Sequence, residues 1–174
     1  MKNKKVYIIT GYAGSGKTTL VNFLKQYGWH IISAGQCFTD IALKHNIQNS
    51  RLSIQKFSTF YFRKYGYKKF SKILINKANR FDKIIFEGIR PKEVIKEVKN
   101  KYPLAKIIFI ETSKKNRLER ISHRSKLVQK DIVTIQNHSI EKNLIHIKNE
   151  ADYIVTNNND IESFVNEVKN ILKD

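Results

Sequence analysis

Gly11-Tyr12-Ala13-Gly14-Ser15-Gly16-Lys17-Thr18 is the stretch on which the reading of this chain turns. It fits G-x-x-x-x-G-K-[ST], the pattern of a loop that cradles phosphates. Its flanks fit as well. Lys5-Val6-Tyr7-Ile8-Ile9-Thr10 is short, apolar and β-branched, as a buried strand should be. Thr18-Thr19-Leu20-Val21-Asn22-Phe23-Leu24-Lys25 spaces its apolar residues for a helix. The loop therefore joins a strand to a helix. Gly11, Gly14 and Gly16 let the backbone curl so that successive N–H groups face an anion, and the helix N-terminus adds partial positive charge. With Ser15 and Thr19 they make up the expected phosphate cradle. Lys17 is expected to reach the β- and γ-phosphates of ATP, and the Thr18 hydroxyl to bind Mg²⁺.

Working outward, four more strand-like runs follow: Trp29–Ser33, Asp82–Glu87, Ala105–Glu111 and Asp152–Thr156. Helical patterns separate them: Gln36–His45, Lys68–Asn79, Lys92–Asn100, Lys114–Arg124 and Ser139–Asn149, with Ile161–Leu172 closing the chain. Ser53–Tyr67 is aromatic and basic, with Phe57, Phe60, Tyr61, Phe62, Tyr65 and Tyr67 among Lys56, Arg63 and Lys64. Packing over an acceptor pocket is its expected role, and stacking a base the alternative. Strands alternating with helices imply an α/β fold: a five-stranded parallel sheet with helices on both faces. Ligands of such sheets sit at the carboxyl ends of the strands. The loop, Glu87, Glu111 and Thr156 all fall at such ends.

Phosphoryl transfer requires charge neutralisation and positioning more than covalent chemistry. An acid beside the loop is expected to share the metal. Glu87 is the better candidate and Glu111 the alternative. Arg90, just past the strand that ends at Glu87, can grip an acceptor phosphate with its planar fork. Arg117, Arg120 and Arg124 recur at three and four residues and share a helix face. With Lys126 they suit a lid that neutralises transferring phosphates. Asp40 either orients the acceptor or is a helix-surface residue.

Composition bounds the partners. In 174 residues there are 33 Lys+Arg against 15 Asp+Glu, a formal charge of +18. Such a balance favours polyanions, yet the abundance of Lys, Asn and Ile also fits AT-rich coding, so charge alone does not establish nucleic-acid binding. One cysteine, Cys37, excludes an intrachain disulfide and fits a cytoplasmic protein. The apolar run before Gly11 is too short for a signal or membrane segment. Histidines 30, 45, 123, 138 and 146 lack metal-ligand spacing. One domain over 1–174 is expected, with an acceptor-binding helical region at about 36–80 and a lid at about 114–131.

Several further motifs bring in a resemblance. They are Ile32-Ser33, Glu87-Gly88-Ile89-Arg90 with Glu93-Val94, Arg117-Leu118-Glu119-Arg120-Ile121 with Arg124, and Ala151-Asp152-Tyr153-Ile154-Val155 with Asn157. With the loop, they resemble the nucleoside monophosphate kinase-like branch of P-loop proteins over nearly the whole chain. The likeness is strongest to dephospho-CoA kinases and an archaeal dephospho-CoA-kinase-like family, and phage deoxynucleoside monophosphate kinases share some elements. The resemblance implies a three-layer fold with a small helical lid, and transfer of the γ-phosphoryl of ATP to a nucleotide-like acceptor. It implies that Arg117 and the loop near Asn157 flank the adenine, and that Arg124 and Lys126 belong to the lid. The family carries an Asp and then an Arg soon after the second strand, where this chain has Gln36 and Thr39. Gln cannot act as a base, so Asp40 substitutes, the acceptor differs or transfer is weak. The acidic segment after the lid arginines is reduced here to Lys130-Asp131.

Overall fold

The computed structural model describes residues 4–124, 143–158 and 160–173, with Arg51 and Arg124 described by backbone alone. Strand β1, Lys5–Gly11, is followed by α1, Lys17–Lys25. Next come β2 (His30–Ser33), α2 (Ala34–Lys44), α3 (Arg51–Ala78), β3 (Lys83–Glu87) and α4 (Lys92–Lys101). The chain continues through β4 (Lys106–Glu111), α5 (Lys114–Arg124), α6 (Leu144–Asn149), β5 (Tyr153–Thr156) and α7 (Ile161–Ile171). The first four residues of the helix expected over Ser139–Asn149 lie outside the described residues, as do Lys126, Lys130 and Asp131.

The strands form one parallel sheet in the order β2-β3-β1-β4-β5. Strand side chains alternate between faces, so each buried strand feeds two cores. Val6, Ile8, Ile84, Phe86, Ile107 and Phe109 pack with α2, α3, α4 and α6. Tyr7, Ile9, Ile85, Ile108, Ile110 and Val155 pack with α1 and α7 on the other side. The result is the three-layer α/β architecture expected from the strand and helix alternation. β1 lies at the centre, which places its loop beside the carboxyl ends of β3 and β4.

The aromatic segment and the helix expected after it are two helices that meet at a break at Gly66 (φ 75°, ψ 164°) and are named together as α3 over 28 residues. The apolar side of this span builds a ring cluster around Phe38 of α2. Phe38 meets Phe70 at 4.1 Å, Phe62 at 5.0 Å and Tyr61 at 5.4 Å between centroids. Rings of this kind add edge-to-face and tilted contacts to their burial. The kink keeps both halves of α3 on Phe38, because a straight helix would carry Phe70 off the line set by Phe62. A side chain at position 66 would have open space around its Cβ. Any penalty there is backbone strain alone, which at this φ/ψ is about 1–3 kcal/mol. Gly66→Ala is thus expected to lower the unfolding free energy by about that amount, read as a reduced urea midpoint with unchanged slope.

Candidate phosphate and acceptor site

Helix α1 begins on Gly16 in the left-handed region, with no side chain capping its N-terminus and no acid in its first turn. By contrast α2, α3 and α7 are capped by Ser33, Ser50 and Asp160. The first N–H groups of α1 are therefore open to an anion lying in the loop.

Three loop positions leave no room for a side chain, Gly11 among them, where a Cβ (φ +146°) would stand 2.5 Å from the backbone oxygen of Ile110. A Cβ at Gly14 (φ +79°) would stand 2.6 Å from the backbone oxygen of Arg117. One at Gly16 (φ +94°) would collide with the Asn157 amide. The loop is pressed from one side by α5 and from the other by the turn after β5.

Hydrogen bonds fix this apposition. The Asn157 side-chain amide donates to the Ser15 carbonyl at 2.9 Å, and the Thr112 hydroxyl shares its one proton between the Glu111 carbonyl at 2.8 Å and the Ser15 carbonyl at 3.3 Å. Ser15, Thr112 and Asn157 are all buried. The Asn157 backbone N–H donates to the Glu111 carbonyl at 2.8 Å, tying the turn to the end of β4. Arg120 donates through Nη2 to the Asn157 carbonyl at 3.2 Å. Its Nη1 is buried with no hydrogen-bond partner, 3.8 Å from where a Cβ at Gly16 would lie. A buried, unsatisfied cationic donor beside an anion loop is costly unless an anion completes it. This orphaned donor fits a phosphate chain bound in the loop.

Lys17 is buried and folded over the loop. Its ammonium donates to the Gly11 carbonyl at 2.8 Å, the Tyr12 carbonyl at 2.7 Å and Ser15 Oγ at 3.2 Å. Arg117 donates from Nε to the Thr112 carbonyl at 3.2 Å, and its guanidinium lies 4.6 Å over the Tyr12 ring. Arg117 and Asn157 thus border the loop, with Asn157 clamping its backbone. Thr19 follows Thr18 in the first turn of α1.

Glu87 ends β3 opposite Ser33 of β2 and Ile9 of β1. Ser33 Oγ donates to Glu87 Oε2 at 2.7 Å, and the same oxygen caps α2 by accepting from the Gln36 N–H at 3.3 Å. Glu87 lines a recess with Thr18, Ser33 and Gln36. One carboxylate and one hydroxyl facing a shared recess are a donor set that suits a Mg²⁺ also held by phosphates. Glu111, the alternative acid, is ion-paired with Lys148 instead.

A cavity of about 500 Å³ opens on the other side of Glu87. Lys17, Glu87 and Arg90 line it together, with Gln36 and Thr39 of α2 and an apolar-to-polar strip of α3 opposite. The strip is Ile54, Ser58 and Phe62, one residue per turn, with Gln55 and Asn49 nearby. Asp40 is absent from this lining. Gln36 Nε2 donates to it at 2.8 Å, and Lys77 of α3 pairs with it at 3.7 Å. The described residues therefore bring together Lys17, Thr18, Glu87 and Arg90, but not Asp40. The backbone of Arg124 closes α5, and its side chain lies outside the described residues.

With this geometry in place, likeness to known proteins is informative. A family model described as AAA domain matches residues 10–137. The chain belongs to this AAA domain family. A "UPF0200 protein" of Sulfurisphaera tokodaii is 28% identical over 175 residues, covering 97% of this chain and 96% of the relative. Among solved structures, TT1252 from Thermus thermophilus has a TM-score of 0.69 at 16% identity, covering 99% of this chain and 98% of that one. A shikimate kinase from Bacteroides thetaiotaomicron has a TM-score of 0.60 at 18% identity, covering 97% and 98%. A dephospho-CoA kinase from Campylobacter jejuni has 0.52 at 18% identity, covering 99% and 96%. At these identities the likeness is one of fold, and the shared fold is the kinase-like P-loop fold that the resemblance implied. This AAA domain member thus shares an architecture with kinases of chemically different acceptors.

Thr112 was not singled out from sequence, and Ser33 was named only within a motif, without its contact to Glu87, while the α3 strip falls inside the aromatic segment expected to cover an acceptor pocket. Ser33 had a signal, since a serine just before a helical run is a cap candidate. The strip had one too, in Ile54, Ser58 and Phe62 at four-residue spacing. The clamp predicts that Gly16→Ala cuts nucleotide affinity at least about tenfold, or 1.4 kcal/mol, in a titration with a fluorescent ATP analogue.

Proposed function

We propose that this protein is a phosphotransferase that moves the γ-phosphoryl group of ATP to a small nucleotide-containing acceptor: a nucleoside monophosphate or a related compound such as dephospho-CoA. The observation that carries this reading is the shared cavity. Lys17, from the donor loop, and Arg90, from beyond β3, line one space with Glu87 between them. A loop that merely bound a nucleotide would have no need of a second, cation-lined space of about 500 Å³ beside it.

The roles follow from placement. The loop amides from Gly11 to Thr18, with Ser15, Gly16 and Thr19 in or beside the first turn of α1, would hold the donor phosphates. Lys17 would exchange its three loop contacts for phosphate oxygens, because a carbonyl is a weaker partner than an anion. Thr18 and Glu87 would hold Mg²⁺, directly or through water, and the ion would neutralise charge on the phosphates. Arg120, through its unpaired Nη1, and Arg124 from the same helix face would stabilise the transferring group. Arg117 and Asn157 would border the nucleoside. Arg90 would grip the acceptor.

The cavity bears on the choice of acceptor. Kinases that phosphorylate a hydroxyl use a carboxylate to accept its proton. Among the described residues lining the cavity the only carboxylate is Glu87, already held by Ser33, while Asp40 faces Lys77. A phosphate monoester needs no such base, since its second ionisation lies near pH 6. This favours a nucleoside monophosphate over dephospho-CoA.

Incubation with ATP, Mg²⁺ and a panel of nucleoside and deoxynucleoside monophosphates plus dephospho-CoA, read by mass, tests the reading. At least one acceptor should gain a phosphoryl group. If none does, the assignment is wrong. Lys17→Ala should lower transfer by about 1000-fold while circular dichroism stays native, and full activity in that variant would also refute it.

A further inference from the structure

The cationic charge of this chain is not spread evenly. Between Asp40 and Asp82 lie 41 residues, from Ile41 to Phe81, that contain 10 Lys and Arg and no acid. About a quarter of the chain thus carries +10 of the +18. Elsewhere 23 Lys and Arg face all 15 acids. Coding bias raises lysine everywhere, but it does not clear acids from one helix. Helix α4, which packs on α3, keeps Glu93 and Glu97, and α7 keeps Glu162 and Glu167.

Besides Lys77, which pairs with Asp40, six of these ten cations stand at exposed positions of α3. The inner side of α3 holds Phe57, Tyr61, Phe70 and Leu74 in the core. Its outer side exposes Lys56, Phe60, Arg63 and Lys64 before the Gly66 break, and Lys68, Lys69 and Lys72 after it. Lys56, Phe60 and Lys64 recur every four residues and form one row, about 12 Å long at 1.5 Å per residue. At the middle of that row Phe60 is 53% exposed. The Lys64 ammonium lies 5.6 Å from the Phe60 centroid and 5.2 Å from that of Tyr65, and Lys69 lies 4.2 Å from Tyr65. An aromatic ring kept in water among cations, on a helix that carries no acid of its own, has an evident use. It offers a flat platform beside charges that hold a phosphodiester backbone. None of these side chains lines the cavity next to the phosphate loop.

We propose that the outer face of α3 is a docking surface for single-stranded nucleic acid, with Phe60 stacking on a base and Lys56, Arg63 and Lys64 neutralising the flanking phosphates. A duplex buries its bases and offers Phe60 no partner. A helix lying on an anionic membrane would present a wide apolar face beside its cations, whereas the inner aromatics of α3 are buried in the core and Phe60 is the one apolar residue of this row. The surface is separate from the phosphate loop, so the proposal does not rest on the phosphotransferase reading.

Fluorescence anisotropy on the full chain tests it, using labelled twelve-nucleotide oligouridylate and oligothymidylate, with phosphatidylserine vesicles and a duplex of the same length for comparison. The wild-type protein should bind a single strand with an affinity that falls by a slope of about −2 or steeper in log K against log salt. The tighter of the two oligonucleotides names the class. Lys64→Gln and Arg63→Gln should each flatten that slope by about 0.7. Phe60→Ala should weaken binding about tenfold and leave the slope unchanged. Circular dichroism of each surface variant should match the wild type. Absence of single-strand binding at 100 mM salt overturns the proposal. So does equal affinity for duplex or vesicles, or an unaltered affinity in Phe60→Ala.

Discussion

The backbone of the phosphate loop is held where no side chain can follow. Arg117 presses on Gly14 and Asn157 on Gly16, and the Ser15 carbonyl between them takes hydrogen bonds from Asn157 and Thr112. That double clamp fastens the loop to the ends of β4 and β5. The rest of the site depends on it. The open N-terminus of α1 is useful only if the amides before it stay aimed, and orientation fixed before binding costs nothing when the anion arrives. Rigidity here comes from neighbouring elements, since the loop itself is glycine-rich.

The second half of the site hangs from Glu87. Its carboxylate accepts from Ser33, and Ser33 in turn caps α2. The direction of α2 is therefore tied to the residue expected to face the metal. Helix α2 carries Phe38, around which both halves of α3 pack. A chain of contacts thus runs from the end of β3 to the wall of the cavity lined by Lys17 and Arg90. Any change that moves Glu87 moves the helix that shapes this space, which couples the phosphate loop side and the cavity through packing.

Much of this was legible in the chain itself. The loop, all five strands and the sheet type follow from short apolar runs and the Gly-Lys-Thr signature, because local pattern dictates them. The placement of Glu87 beside the loop was also legible, since an acid closing a buried strand must lie at the carboxyl edge. So were the two helical stretches on either side of Gly66, whose backbone breaks the helix where the two patterns meet. Their common packing on Phe38 was not. Asp40 was ambiguous for a similar reason. Its chemistry suits an acceptor, but its direction depends on how α2 meets α3, which sets Asp40 beside Lys77 of α3 and not in the cavity lining. Ser15, Thr112 and Asn157 lie far apart in sequence, so their clamp appears only in three dimensions.

Charge distribution divides the molecule more sharply than the fold does. Within the cavity two cations, Lys17 and Arg90, stand with one carboxylate, Glu87. The exposed row of α3 carries no acid of its own beside Lys56, Arg63 and Lys64, and the field of these cations reaches into solvent over a Debye length of about 8 Å at physiological salt. The same helix therefore serves two electrostatic regimes. Its inner strip of Ile54, Ser58 and Phe62 is nearly neutral and selects by shape. Its outer row draws in polyanions at long range and holds them through salt-sensitive contacts. Acids placed on that outer row would have supported α3 through ordinary i,i+4 pairs. Their exclusion gives up that support, and a cost without a structural return is best explained by a partner.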